Sequence, residues 1–543
     1  MKRMHTASPT RLVPFAWAGR VLLGAALALV PALNTLAQPT EAPLLDVKRF
    51  VVEGDNPLSA AETDALLAPH LGQHKSLDSI DAAATTLESA IRARGHAFHR
   101  VIVPAQRPVA GELKLQILRF ALNDVTVTGN QHFSRENILR TVPALVPGES
   151  PDIRELGRQL TLANEHPAKR VTVSIKESPK RDYLDAELKV RDVPASQTFI
   201  GLTGHSRDFD NTINRNTGYT RLTVGHQQSN LFDRDHALTL AYTTSPDHLD
   251  KVSQYGVFYW LPLYGYHTSL NAYYTKSDVD TGTVGLGGQS FAVSGSGEFR
   301  GLRATYALPK IAEVTHHVSL AYDQKYFENN VAFAGTPLPT TAVGSQPVSL
   351  RYTARSEQTW GGVGGHLEAA SNISGGRAND AASYTTARVG AERQWQAWRW
   401  GIDVIHTLGA GWSFSGKLRG QYTNDALIPG EQFGLGGAGS VRGLRDREST
   451  GDRGHSINLE VTAPAVWAGV IPYAYYDAGQ RRHVIPIPGT VSKDSASSLG
   501  AGARWNWSKG LDVNVSYAHV LNGVAGGTPR GYDKLDFSLF FRF

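Results

Sequence analysis

The residues best suited to chemistry crowd one stretch. "GGAGSVRGLRDRESTGDRG", from Gly436 to Gly454, carries both signs of charge, is nearly a third Gly and has no hydrophobic period. Downstream, "YYDAG" offers a carboxylate, Asp477, beside the small Gly479. Arg442 and Asp477 are the pair to consider, because an Arg–carboxylate contact can be bidentate and directional. That is anchoring chemistry. Gly443 would let the backbone approach a wall closely. Bond-making chemistry has little support: there is no GxSxG, no HExxH, no His/Cys metal spacing and no GxxxxGK[ST] phosphate loop. His316 and His317 are adjacent in an expected strand and so face opposite sides, which suits no shared metal. The chain reads as a non-enzyme with no catalytic residue, no metal and no cofactor.

The elements that must position Arg442 and Asp477 follow from period and composition. Of ten Trp and twenty Tyr, nine and nineteen lie after residue 196. There the period is two. In "GWSFSGKLRGQYT", Trp412, Phe414, Leu418 and Tyr422 alternate with polar residues. "LDVNVSYAHV" and "KLDFSLFFRF" do the same through Leu511, Val513, Val515 and Tyr517, and through Leu535, Phe537, Leu539, Phe541 and Phe543. Similar strands are expected at 236–243, 267–275 and 316–327. A soluble sandwich gives the same alternation. Strands of about ten residues, fifteen to seventeen of them over 197–543, favour a transmembrane barrel instead. Closure satisfies every backbone group in lipid. Strand numbers are even by rule, so the expectation is a 16-stranded antiparallel transmembrane β-barrel, wide enough for an aqueous lumen. The nine barrel Trp are expected in interfacial girdles.

Residues 38–196 are a different material and contain a repeat. "VKRFVVEGDNPLS" (47–59) and "LNDVTVTGNQHFS" (122–134) each read as strand, Gly turn and helix N-cap Ser. Helical faces follow: Leu77, Ile80, Ala84, Leu87 and Ile91, then Ile153, Leu156 and Leu160. Each copy closes with two strands, giving two small α+β domains at 46–120 and 121–194. Ahead of them, Lys2, Arg3, Arg11 and Arg20 precede the apolar "VLLGAALALVPAL", a run of 13 residues. It is short for a helical span, so 1–37 reads as a signal peptide cut near Ala37–Gln38, with 38–45 a short linker.

Bulk numbers agree. Mean hydropathy is −0.26, as transmembrane barrels also show, and the absence of Cys excludes disulfides and thiol chemistry. The net charge of +5 is small for 543 residues, and no basic stripe interleaved with aromatics implies nucleic acid. The segment at about 424–454 is a long loop between two strands. One reading is a solvated surface loop. The other is a loop folded into the lumen and pinned by Arg442 on an inward-facing Asp477.

"LIPGEQFGLGGAGSVRGLRDRESTGDRG", "NLEV" and "YYDAG" together resemble the C-terminal barrel of two-partner secretion transporters, the haemolysin-activator and filamentous-haemagglutinin transporter family. The paired domains resemble its two POTRA domains, and "RQLTLANEHPAKRVTVSIKESPK" resembles the end of the second. The resemblance implies that Arg442 and Asp477 form the family's loop-to-strand contact, supported by Val441, Gly443 and Gly479. The motif's aromatic is Leu444 here, which removes stacking at that position. The short linker leaves little room for the pore-plugging N-terminal helix of some members.

The function implied is passage of a large exoprotein, unfolded in transit, through the barrel of an outer-membrane protein of a Gram-negative bacterium, without ATP. The POTRA domains would lie in the periplasm and capture the passenger by strand addition at 99–104 or 169–178. Outer-membrane lipid and periplasmic chaperones are further expected partners, and the protein is expected to be monomeric. The alternatives are an insertase of the barrel-assembly type, which usually carries more POTRA domains, and a passive diffusion pore, which needs neither POTRA domains nor an inward Arg loop.

Overall fold

The computed structural model describes residues 45–543, apart from 75, 207–217, 279–281, 287–288, 294–295, 330–331, 334–335, 338–340, 488 and 509. The expected signal peptide and most of the linker lie outside the described residues.

The first unit runs strand Arg49–Gly54, helices Ala60–Leu67 and Leu77–Ala93, then strands His99–Ile102 and Glu112–Arg119. Glu112–Arg119 is central, parallel to Arg49–Gly54 and antiparallel to His99–Ile102. Ser59 starts the first helix: its hydroxyl accepts from Glu62 N–H while the Glu62 carboxylate accepts from Ser59 N–H. Ile80, Ala84, Leu87 and Ile91 bury against Phe50, Leu113 and Leu115. Leu77, expected on that face, is 75% exposed. It opens the helix one turn before the helix meets the sheet, and Ala83 supplies the contact instead.

The second unit repeats the order with strand Ala121–Thr128, helices Arg135–Arg140 and Ile153–Ala163, and strands Lys169–Glu177 and Tyr183–Asp192, the last of them central. Ser134 and Asp152 cap its helices. Ile153 is exposed at its helix start, while Leu156 is in the core.

From Ser196 the chain is a closed barrel. Seventeen hydrogen-bonded segments form the ring. Thr341–Ser345 and Pro347–Gln358 both pair with Val314–Asn329 and are one strand interrupted at Gln346, which leaves sixteen. The ring closes antiparallel, Asp533–Arg542 on Ser196–His205. Apolar alternation points outward: Trp412, Tyr422, Val515, Tyr517, Leu535, Leu539 and Phe541 are all exposed.

On the side of the N-terminal units the strands join through short turns, such as 232–235 and 264–266. On the other side lie long connections, at 373–395 and 423–452, as in outer-membrane barrels. Phe232, Tyr266, Trp412, Trp467 and Trp507 line the rim near the N-terminal units. Two Trp depart from the girdle expectation. Trp395 is fully buried among Tyr384, Leu427 and Phe327, in an apolar cluster that joins barrel strands to the long connections 373–395 and 423–452. Trp260 points inward onto Leu162, Ala163 and Tyr264.

The second unit is docked on the barrel by buried polar contacts. Lys169 Nζ donates to Asp235 Oδ2 (2.5 Å) and to Asn137 Oδ1 (2.6 Å). Asn137 Nδ2 donates to Asp235 Oδ1 (2.8 Å), and Tyr264 Oη donates to Asp235 Oδ2 (2.6 Å). His166 meets the Ser229 carbonyl at 2.7 Å. Burial, reinforced by the Lys169 charge and opposed by Asp235, pushes the His166 imidazole down to about 4. His316 and His317 diverge as their adjacency requires: one ring meets Tyr352 Oη, the other Glu165 of the second unit.

Candidate functional site: a loop anchored in the lumen

The connection after strand Trp412–Tyr422 turns into the barrel. A short turn at Pro429–Glu431 leads into a two-stranded ribbon, Phe433–Leu435 paired with Ser449–Gly451, and the glycine-rich stretch is its tip. Strands Arg453–Thr462 and Val470–Arg482 receive it. Their register pairs Asn458 with Asp477, Glu460 with Tyr475 and Ser456 with Gly479, so these six positions share the lumen face.

Arg442 reaches this face with all four of its nitrogens. Nε and Nη2 donate to Asp477 Oδ2 and Oδ1 (2.7 and 2.9 Å), and the Arg442 backbone N–H adds a bond to Oδ2 at 3.1 Å. Nη1 donates to Glu460 Oε2 at 3.0 Å. Asn458 Nδ2 donates to Asp477 Oδ1 at 2.7 Å. The other Glu460 oxygen accepts from Arg504 at 2.7 Å. Two cations therefore face two carboxylates and the cluster is neutral. Tyr475 lies under the Arg442 guanidinium at 3.3 Å and Tyr473 under Arg504 at 4.1 Å, contacts that add ring-quadrupole attraction. Asp477 is fully buried and the Arg442 side chain is 14% exposed. The anchor is drier than a water-filled pore suggests, and breaking it leaves a desolvated charge.

The remaining candidate residues surround this pair. Gly443 has φ +97°, and an added Cβ would lie 3.0 Å from Val520 and 3.2 Å from Ala518. At Gly479 a Cβ would come within 2.5 Å of Leu435 in the loop. Val441 and Leu444 are fully buried with Ala496, Val520 and Val524. Leu444 thus serves as an apolar peg where the motif has an aromatic.

Sequence reasoning missed the rest of the grip. Asn458, Glu460 and Arg504 belong to the cluster, and the period-two reading of "HSINLEV" could have put Asn458 and Glu460 on the polar face. Glu431, at the base of the loop, accepts from Lys325 (3.0 Å), Ser345 (2.7 Å) and Arg399 (2.8 Å). Arg399 also reaches Glu368, which is held by Arg351. Asp452, at the loop's end, takes a buried bidentate contact from Arg388 and accepts from Leu427 N–H and Val484 N–H (2.8 and 2.7 Å). No local pattern marks Glu431 or Asp452, because their partners are distant in sequence.

Residues 202–504 match the family model described as haemolysin secretion/activation protein ShlB/FhaC/HecB. The chain belongs to that family. Residues 45–119 match the ShlB-type POTRA domain. ShlB/FhaC/HecB proteins are two-partner secretion transporters of the outer membrane, with periplasmic POTRA domains and a secreted exoprotein as partner. The outer membrane transporter CdiB of Dickeya dadantii is 23% identical over 88% of this chain and 81% of its own length. The heme/hemopexin transporter protein HuxB of Haemophilus influenzae is 20% identical over 84% and 80%. Among solved structures, CdiB from Escherichia coli superposes with a TM-score of 0.74 at 17% identity over 93% of this chain and 92% of that one. CdiB from Acinetobacter baumannii gives 0.68 at 17% identity over 93% and 91%. These structural likenesses support the barrel fold.

Proposed function

We propose that this transporter exports one large exoprotein, unfolded in transit, and that the anchored loop governs its passage. The observation that carries this reading is the Arg442–Asp477 contact. It holds a long loop across the lumen by a neutral, buried cluster, an arrangement a plain diffusion pore has no use for. The passenger would be captured by the periplasmic units, the second read as another POTRA domain. Lys169–Glu177 is an edge strand there, and its start is bracketed by Asn164, which bonds both Val171 N–H and Val171 C=O. The same edge-facing register continues through Val173 and Ile175, where an extended peptide can add as a strand. In the first unit the edge strand His99–Ile102 has only four residues and Glu88 covers its Val101 N–H, so that edge is the less open one.

Folding of the passenger outside would bias its diffusion, with no ATP and no catalysis by this chain, which acts as a monomer. Periplasmic chaperones would keep the passenger unfolded. The test is co-expression with a neighbouring gene for a long, repeat-rich secreted protein. The passenger should reach the medium with the wild-type transporter and stay in the periplasm with Asp477→Asn. Equal release without the transporter overturns the reading.

A further inference from the structure

The lipid-facing wall carries a groove of about 350 Å³ that has no part in the lumen. Its lining comes from four neighbouring strands: Ser253–Leu263, Thr268–Ser277, Gly297–Ala307 and Val314–Asn329. The register pairs Val257 with Tyr274 and Tyr259 with Ala272, then Tyr274 with Arg300 and Ala272 with Leu302. It next pairs Arg300 with Gln324 and Leu302 with Tyr322. All of these side chains share one face. That face is the outer one, because Leu302 is 61% exposed, whereas the intervening Tyr273 and Asp323 point inward and bond each other at 2.8 Å. Ala272 makes the trough: it is the one short side chain in a row between Tyr259 and Leu302, so two strands of ring and branched side chain flank a gap.

The upper end of the trough is polar. Arg300 Nε donates to Gln324 Oε1 and Gln324 Nε2 donates to Tyr322 Oη, both at 2.6 Å. These bonds fix the guanidinium but use one of its nitrogens. Among the described residues its terminal nitrogens have no acceptor and no carboxylate pairs with it. The neighbouring Glu298 is matched by Lys276 at 3.7 Å. One position up the same face, Tyr326 carries the exposed Arg377 guanidinium on its ring at 3.8 Å. Arg300 stands three residues from the outer end of its strand, roughly 10 Å along it. An uncompensated cation at that depth of a lipid-facing wall is costly unless the lipid supplies the anion.

We propose that this groove binds a phosphate-bearing, multiply acylated glycolipid of the outer leaflet. One acyl chain lies along Val257, Tyr259, Ala272 and Leu302, and a phosphate is held by Arg300 with Arg377 above it. A guanidinium whose orientation is already fixed matches phosphate geometry in a way an ammonium does not.

The test is native mass spectrometry of the full-length protein, released from detergent with bisphosphorylated lipid A as the probe and phosphatidylethanolamine as the competitor. Wild type should retain lipid A in preference to phosphatidylethanolamine. Arg300→Gln should weaken retention about tenfold or more, the loss of a charge-assisted contact. Ala272→Leu, which fills the trough and keeps the charge, should weaken it as well. Arg300→Lys should retain an intermediate amount, and a heat-modifiable band certifies each variant as folded. Equal retention of both lipids by wild type, or unchanged lipid A retention in folded Arg300→Gln and Arg300→Lys, overturns the site.

Discussion

Arg442 and Asp477 meet through two parallel side-chain bonds and a third from the Arg442 backbone, with Tyr475 stacked beneath the guanidinium. The backbone bond matters as much as the ion pair. It ties the loop's main chain, and so the path of the whole tip, to one carboxylate on the barrel wall.

Arg442→Ala should abolish export of the passenger while the barrel stays assembled and heat-modifiable in gels. Leaving one member of a desolvated pair uncompensated costs ~3–5 kcal/mol, enough to release a loop but small against the ladder of sixteen strands. Arg442→Lys should export poorly too, because an ammonium cannot make both Asp477 bonds and still reach Glu460. Immunoblots of medium and envelope decide it. Wild-type export from the Ala variant removes the loop from the mechanism.

Gly443→Ala should loosen the tip without touching any charge. At φ +97° a side chain is strained and its Cβ meets Val520 and Ala518, a cost of ~1–3 kcal/mol. Hydrogen exchange should rise across 436–448 and stay unchanged in the barrel strands. An unchanged tip would mean the wall yields instead.

Val173→Pro removes a backbone N–H from the open edge of Lys169–Glu177 and trims only a partly buried side chain at the margin of that unit's core. Export should fall up to about tenfold, as expected for loss of one main-chain bond to the passenger, while single-channel conductance persists. Deleting 46–120 should likewise uncouple export from conductance. If both changes leave export intact, capture lies elsewhere.

Docking of the second periplasmic unit should weaken in mild acid. His166 is held neutral, with its pKa lowered from 6.5 to about 4 by burial. A depressed His favours the docked state fully above pH 6.5, and that contribution is lost as pH falls from 6.5 toward 4, up to about 3 kcal/mol in all. Cross-linking between the unit and turn 232–235 should therefore decline over that window. His166→Phe should flatten the decline. A wild-type yield constant from pH 7 to pH 4 would rule this out.

The barrel was legible because lipid and water impose a two-residue alternation that local sequence cannot hide. Ser59 and Ser134 announced their helices for an equally local reason, a side-chain oxygen placed where free N–H groups begin. Arg442 and Asp477 could be named, but Glu431, Asp452 and Arg388 could not. These three residues lie on loops whose inward folding is a tertiary outcome, so nothing local fixes their partners. Trp395 and Trp260 were misplaced for a related reason: a Trp at a strand end looks the same whether it meets lipid, a packed loop core or the helix of a docked domain. Leu77 and Ile153 show the limit of helical period, which assigns a face but not where along the helix that face is covered.

Glu431 has a mechanical meaning apart from its chemistry. It is gripped by Lys325, Ser345 and Arg399, which stand on three different staves of the barrel, with Glu368 on a fourth completing the chain of contacts. The loop's base is thus an internal brace that holds one arc of the cylinder at fixed curvature. Whatever pulls that brace aside to clear a path must also leave the arc softer and freer to change shape, so widening of the conduit and compliance of its wall arrive together.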